Sequence, residues 1–266
     1  MTDIPSLFFE SVPVPDREAK PRRKGLTMMI DWGIPYRLQL DCLESQGLYV
    51  DEAKIAASIP RVMPGETLKK KIEAYRSGNV LTFPGGLFAE VAIAKGRYDE
   101  FLEDASNAGF SGIEISDNLL TIKPEEKRAV IQKAVKEYGM TVMGEVGRKE
   151  GSMTKEELIA DVENCLEAGA HLVLLEAHEL FHGEIRADVF EDLARRVPPE
   201  KLMFELPVTV LPDVTKTYKT KVLFWMIKQF GPEVNLANVE WDEIYFTEIS
   251  RRGISGEDSD QYRKQA

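Results

Sequence analysis

The sequence predicts a single (β/α)8 barrel, on three observations. Short apolar runs alternate with longer amphipathic stretches, without a break in composition, from residue 21 to residue 255. Eight such runs recur at roughly thirty-residue intervals, the length that a parallel crossover needs. The chain has 266 residues, long for an ordinary domain but usual for one closed barrel. A doubly wound open sheet is the main competitor, and it wants a glycine-rich turn after its first strand. MIDWGIP, at residues 29–35, lacks the GxGxxG pattern.

The strand candidates are LTMMI at 26–30, LYVDEAK at 48–54, VLTF at 80–83 and GIEI at 112–115. TVMGE follows at 141–145, HLVLLE at 171–176, KLMFE at 201–205 and EVNLA at 233–237. The stretches between them carry helix signals. Pro124 stands near a first turn followed by acids, and Gly139 ends that stretch. Thr154 with Glu157 three residues on is a capping box. Leu158, Val162, Cys165 and Leu166 then recur at helical spacing.

Composition narrows the function. Hydrophobic residues make up 43%, enough for a full core. Lys and Arg number 34 against 45 Asp and Glu, a net charge of −11, which argues against a nucleic-acid partner. A small anionic substrate is still allowed, because a local cation cluster can outweigh the global sign. Cys42 and Cys165 are far apart in helical patterns, so no disulfide framework is expected and a reducing cytoplasm is the default. The chain has no run of eighteen apolar residues and no apolar signal core near Met1, so no membrane partner is expected. Residues 1–20 and 256–266 read as mobile ends flanking the barrel at 21–255.

Three runs end alike, on Glu145, Glu176 and Glu205. In a (β/α)8 barrel the carboxyl ends of all strands face one mouth, where active sites are built. Carboxylates converging there without partners are costly, so they imply a cation or shared hydrogen bonds. A hard divalent ion such as Mg2+ suits an all-oxygen shell. The competing reading pairs each glutamate with a neighbouring lysine or arginine in a structural network. Lys54, Arg148 and Lys149 are candidates for acid–base or anion work beside the carboxylates. HELFH, at 178–182, formally matches the zinc-protease HExxH, but it follows a strand directly and precedes Gly183, a poor place for the continuous helix that chemistry needs. His178 or His182 could instead contact substrate or metal from the rim. Arg251, Arg252 and Gly253 lie beyond the last strand, where barrels often hold phosphate. The competing reading there is a solvated helix end.

GLTMMIDWGIP, FPGG, GFSGIEISDN, EVGRK, LEAHE, MFELP, GPEVNLANV and EISRRGISGE together resemble the phosphosulfolactate synthase family, in order and over nearly the whole ordered chain. The resemblance implies a (β/α)8 barrel related in layout to enolases, and a Mg2+-dependent addition of sulfite to phosphoenolpyruvate. Plant heat-stress-associated proteins belong to the same family. Carried over residue by residue, it marks Asp31, Lys54, Gly85, Gly86, Glu114, Asp117, Glu145, Lys149, Glu176, Glu205, Asn235, Arg251, Arg252 and Gly253. Several anion contacts depart from the family pattern. Trp32 replaces a lysine, IAASI at 55–59 replaces a Gly-Trp-Gly-Thr-like stretch, Arg148 replaces a lysine, and His178 stands where an arginine is expected. The expected function is a Mg2+-dependent lyase adding sulfite or another nucleophile to phosphoenolpyruvate or a similar small acid. In this reading Lys54, Glu145, Arg148 and Lys149 are catalytic. Glu145, Glu176 and Glu205 hold the metal, and the remaining marked residues, with His178, bind substrate. A related enzyme with another substrate, or a non-catalytic stress protein on the same scaffold, are the alternatives. A homo-oligomer is compatible with each.

Overall fold

In the computed structural model, which describes residues 8–148, 153–181 and 186–256, eight parallel strands form one sheet rolled into a barrel. They are β1 (Thr27–Asp31), β2 (Glu52–Ile55), β3 (Leu81–Pro84), β4 (Gly112–Ile115), β5 (Thr141–Val146), β6 (Leu172–Leu175), β7 (Leu202–Glu205) and β8 (Leu236–Val239). The sheet order is β3-β2-β1-β8-β7-β6-β5-β4. No backbone ladder joins β3 to β4. Thr82 N reaches Ser111 Oγ across that seam at 3.4 Å.

The helices are α1 (Tyr36–Gln46), α2 (Ile59–Val62), α3 (Gly65–Ser77), α4 (Gly86–Ala94), α5 (Tyr98–Ala108), α6 (Pro124–Tyr138), α7 (Lys155–Ala168), α8 (Ala177–Phe181), α9 (Ala187–Arg196), α10 (Lys216–Phe230) and α11 (Ile244–Arg251). The expected punctuation holds. Thr154 Oγ1 accepts from Glu157 N to open α7. Gly139 closes α6 in the left-handed region at φ 63°, where a side chain would be strained.

Side chains alternate across each strand, and the two resulting cores differ. Outward residues such as Ala53, Ile55, Ile113, Ile115, Val142, Val173 and Leu202 pack against the helices in one large apolar core. Leu26, Met28, Phe83, Met143, Leu172, Leu174, Met203 and Ala237 fill the barrel's interior. By the same alternation Lys54, Glu114, Glu145, Glu176 and Glu205 point inward, one level above that apolar plug, toward the mouth.

The second strand starts later than expected because Gly47–Tyr49 forms a 3-10 turn. The eighth is displaced from 233–237 to 236–239, and the cause is Asn235. Its Oδ1 accepts from Leu26 N at 2.9 Å and its Nδ2 donates to Leu202 O at 2.8 Å. A side chain thus stands in for ladder bonds below the strand. The segment ahead of the barrel reaches this same floor: Arg17 pairs with Glu233 and Glu248 and donates to Gly25 O. Lys20 Nζ donates to Val50 O at 2.5 Å. Residues 1–7 and 257–266 of the two expected mobile ends lie outside the described residues. Both cysteines are buried and free. No helix among the described residues is long and apolar enough to cross a membrane.

Candidate active site

Lys54, on β2, is the centre of the mouth. Its Nζ lies 2.6 Å from Glu205 Oε1 and 3.1 Å from Glu114 Oε2. Glu114, Glu145 and Glu205 come from β4, β5 and β7, and one oxygen of each lies within 4.8 Å of the others. All four side chains are buried. Burial alone would lower the Lys54 ammonium, but Glu114, Glu205 and Glu145 outweigh it and hold its pKa above the usual lysine range. Burial pushes the Glu114 carboxyl well up; Lys54 opposes this, while Glu145 and Glu205 add to it. Glu114, Glu205 and Glu145 thus all act on this one ammonium, and a divalent cation is another positive charge that converging carboxylates accept.

The donor set fits a hard divalent cation. It is all oxygen, converging and buried. The remaining contacts orient the carboxylates. Gly86 N donates to Glu114 Oε1 at 2.7 Å, and Asn118 Nδ2 donates to Glu145 Oε1 at 2.6 Å. Gly86 must be glycine here, since a Cβ would lie 2.5 Å from Ser116 Oγ and 2.9 Å from Glu114 Oε1.

A residue that the sequence reading passed over holds this arrangement in place. Glu90, buried on α4, accepts from Asn118 N at 3.0 Å and from Leu119 N and Leu120 N at 2.9 Å each. The Ser116 hydroxyl donates to it as well. One carboxylate therefore ties down the loop after β4 that delivers Asn118 to Glu145. The available signal was a lone acid in the apolar run GLFAEVAIA, a carboxylate that must be buried and hence bonded.

Of the expected metal set Glu145, Glu176 and Glu205, the structure gathers Glu145 and Glu205 with Glu114 into one group that could hold a metal ion. Glu114 lies within the run GIEI rather than beyond a strand, so counting strand-end acids missed its role. Glu176 is buried beside Gly147, where a Cβ would lie 2.8 Å from Glu176 Cβ. Asp31 is also at a strand end but turns outward. Its Oδ1 accepts from Gly33 N and Ile34 N, and its Oδ2 meets Tyr75 Oη at 2.7 Å and Lys71 Nζ at 2.8 Å. Asp117 pairs with Lys127 at 2.8 Å, and Lys127 also holds Asp161 and Glu145 O. Both aspartates thus carry framework contacts rather than joining the cluster. Gly85 and Gly86 lie at the mouth, and Arg148 is half-buried after β5. Glu179 accepts from Arg148 N at 3.3 Å and Met153 N at 3.0 Å and pairs with Arg186, so the acid of HELFH is committed to holding backbone. Lys149, His182 and the side chain of His178 lie outside the described residues.

Asn235, Arg251, Arg252 and Gly253 are at the opposite end of the barrel, which corrects their expected place at the mouth. The cause is α11, which runs back down the barrel and delivers Arg251 to the floor. Arg251 Nη1 donates to Pro232 O at 2.6 Å and Val234 O at 2.5 Å, and Nη2 to Leu26 O at 3.1 Å. Arg252 bonds Glu248 and Pro15 O. Arg251→Ala should therefore lower stability by about 3–5 kcal/mol, since three carbonyls lose their donor inside a buried site. The folded fraction should bind divalent cation at the mouth cluster as the parent does. Urea unfolding and calorimetric titration check both halves, and weakened ligand binding at unchanged stability would return Arg251 to the site.

A parallel barrel with converging carboxylates and a buried ammonium at its mouth defines a class: (β/α)8 proteins whose mouth carries a carboxylate group that could hold a metal ion. Within that class the chain belongs to the (2R)-phospho-3-sulfolactate synthase family, whose model matches residues 15–257. It is 33% identical over 255 residues to the phosphosulfolactate synthase of Methanothermobacter thermautotrophicus, covering 91% of this chain and 94% of that one. It is 29% identical over 276 residues to Protein HEAT-STRESS-ASSOCIATED 32 of Arabidopsis thaliana, covering 91% of each. Among solved structures, 3-hexulose-6-phosphate synthase aligns with a TM-score of 0.53 at 13% identity, over 86% of this chain and 98% of that one, a likeness of fold.

Proposed function

We propose that this protein is a Mg2+-dependent enzyme of the phosphosulfolactate synthase type, adding a nucleophile, sulfite in the first instance, to phosphoenolpyruvate or a similar small acid. The observation that carries the reading is the convergence of Glu114, Glu145 and Glu205 around Lys54 at the mouth. Family membership over residues 15–257 supports it. Glu114, Glu145 and Glu205 would hold the cation, which when bound supplies positive charge to the substrate's carboxylate.

The chain's own residues do the rest. In the addition, a lone pair of the nucleophile forms a bond to the terminal carbon of the enol acid. The double-bond electrons move toward the carboxylate, and a proton then reaches the adjacent carbon. Lys54 holds its own proton tightly, so it favours the charge building on the carboxylate rather than supplying that proton. Gly86 N and the Asn118 amide fix Glu114 and Glu145, so the site need not reorganise as charge develops. Lys149, the other cation expected near Glu145, is the candidate donor of the final proton.

Incubation with phosphoenolpyruvate, sulfite and Mg2+, followed by loss of the enol absorbance and mass detection of the adduct, tests the reading. Turnover that requires Mg2+ and is lost in Glu205→Gln is expected. Failure to consume phosphoenolpyruvate, together with no calorimetric Mg2+ binding at millimolar metal, would favour a non-catalytic role on this scaffold.

A further inference from the structure

Outside the barrel, behind the seam where β3 and β4 share no ladder, lies a cavity of about 340 Å3. Pro84, the last residue of β3, and Phe110, just ahead of β4, both line it. Its floor is apolar: Leu68 of α3, Phe88 of α4, Phe101 of α5 and Phe110 belong to the outer core or pack on it. Phe88 meets Phe101 edge to face, with ring centroids 5.3 Å apart. The volume is that of a small-molecule pocket and far exceeds what one water fills.

The rim of this cavity is charged, and unevenly. Arg97 is already committed to Glu100, at 2.5 Å. Arg61, on α2, and Lys95, the C-cap of α4, line the same cavity, and neither side chain has an ion pair or hydrogen bond among the described residues. Of the lining acids, only Asp104 remains to face them. Two uncommitted cations against one acid leave the rim positive, in a chain whose net charge is −11. An aromatic and aliphatic floor beneath uncommitted cations is the chemistry that holds an anion with an apolar body.

The helix α4 also reaches the mouth. Phe88, Val91 and Ala92 line the cavity, while Gly86 N donates to Glu114 and Glu90 accepts from Ser116, Asn118, Leu119 and Leu120. One helix of 9 residues therefore touches both places. We propose that this cavity is a second ligand site, taking a small anion with an apolar body, and that its occupancy tightens the loop after β4 through α4. The site stands apart from the reaction proposed at the mouth and needs no metal. An enclosed volume of this size with uncommitted cations at its rim favours a small molecule over a second copy of the chain.

Octanoate, its neutral counterpart octanamide, and acetate separate the two requirements. Calorimetric titration into the full chain without divalent metal should show one octanoate bound per chain. Octanamide should bind about tenfold more weakly and acetate not at all, because charge and apolar contact are both used. Arg61→Gln with Lys95→Gln should bring octanoate down to the level of octanamide and leave octanamide unchanged. Val91→Trp, at a position 44% exposed, should fill the cavity and weaken both by about tenfold or more. All three positions are exposed, so these variants should fold like the parent. Saturating octanoate should slow hydrogen exchange of the Asn118, Leu119 and Leu120 amides, which Glu90 holds, by about threefold or more. No octanoate binding, equal affinity for octanamide, or binding that Val91→Trp leaves intact would each overturn the site. Octanoate binding with unchanged exchange at those amides would overturn the link through α4. Self-association that Val91→Trp abolishes in sedimentation measurements, with octanoate inert, would give the cavity to a second copy and overturn the proposal.

Discussion

Lys54→Met is expected to destabilise the protein by about 3–5 kcal/mol at neutral pH in the absence of divalent metal, as removal of one partner from a buried ion cluster does. The ammonium lies 2.6 Å from Glu205 and 3.1 Å from Glu114, and Glu145 also acts on it. Methionine keeps most of the volume, so the loss reflects charge rather than a cavity. Two treatments should restore stability, because each offsets the lost charge of Lys54. Millimolar Mg2+ should raise the midpoint of Lys54→Met more than that of the parent, since the vacated centre is freer to take a cation. Lowering the pH should do the same by protonation. Urea unfolding of both proteins, with and without MgCl2 and across pH, reads all of this. A variant that unfolds like the parent, or that Mg2+ leaves unmoved, would count against a cation site at this cluster.

Glu52→Gln should have a comparable effect with the opposite sign. Glu52 lies two residues before Lys54 on the same inward face, paired in register with Met28 and Leu81. Its Oε2 accepts no hydrogen bond. Burial first, and Asp51 second, push its carboxyl up to about 8. A glutamate in the unfolded chain titrates near about 4.3. Between those values the folded chain holds a proton that the unfolded chain has lost. Stability is therefore greatest below about 4.3 with respect to this group, and it falls as the pH climbs toward 8. At about pH 7 the accumulated loss is about 3–4 kcal/mol at 1.36 kcal/mol per pH unit. Glutamine removes the titration, so the variant should exceed the parent by that order near neutrality and converge with it in acid. Parallel pH profiles for the two proteins would rule the assignment out.

The barrel was legible because its evidence is local and repeated. Thr154 with Glu157, Pro124 and Gly139 each mark an element boundary by chemistry that operates within a few residues. Strand positions followed from apolar runs except where a side chain replaced the ladder, as Asn235 does ahead of β8. In the mouth, Lys54, Glu145 and Glu205 were readable from where their strands end and which way they face. Glu114 was marked by resemblance as a substrate contact, and its place beside the other two carboxylates follows only from the roll of the sheet. Arg251 was misplaced because an arginine pair after the last strand resembles a mouth turn. The 8 residues of α11 instead carry it about 12 Å away along the helix axis. Glu90 sits alone in an apolar run and Glu52 beside Asp51 in a buried strand, and which partners a buried acid finds, or fails to find, is decided by distant segments.

Because β3 and β4 share no ladder, the wall of the barrel is fastened there by other means: Gly86 N on Glu114, and Glu90 reaching from α4 to Ser116 and Asn118. The fastening atoms are also atoms of the candidate site, since Glu114 belongs to the acidic cluster and Asn118 touches it. Charge entering the mouth must therefore pull on the same bonds that keep the cylinder shut, and loosening the wall must weaken the grip on that charge. The molecule is less a rigid cup than a bracelet whose clasp is the carboxylate cluster itself.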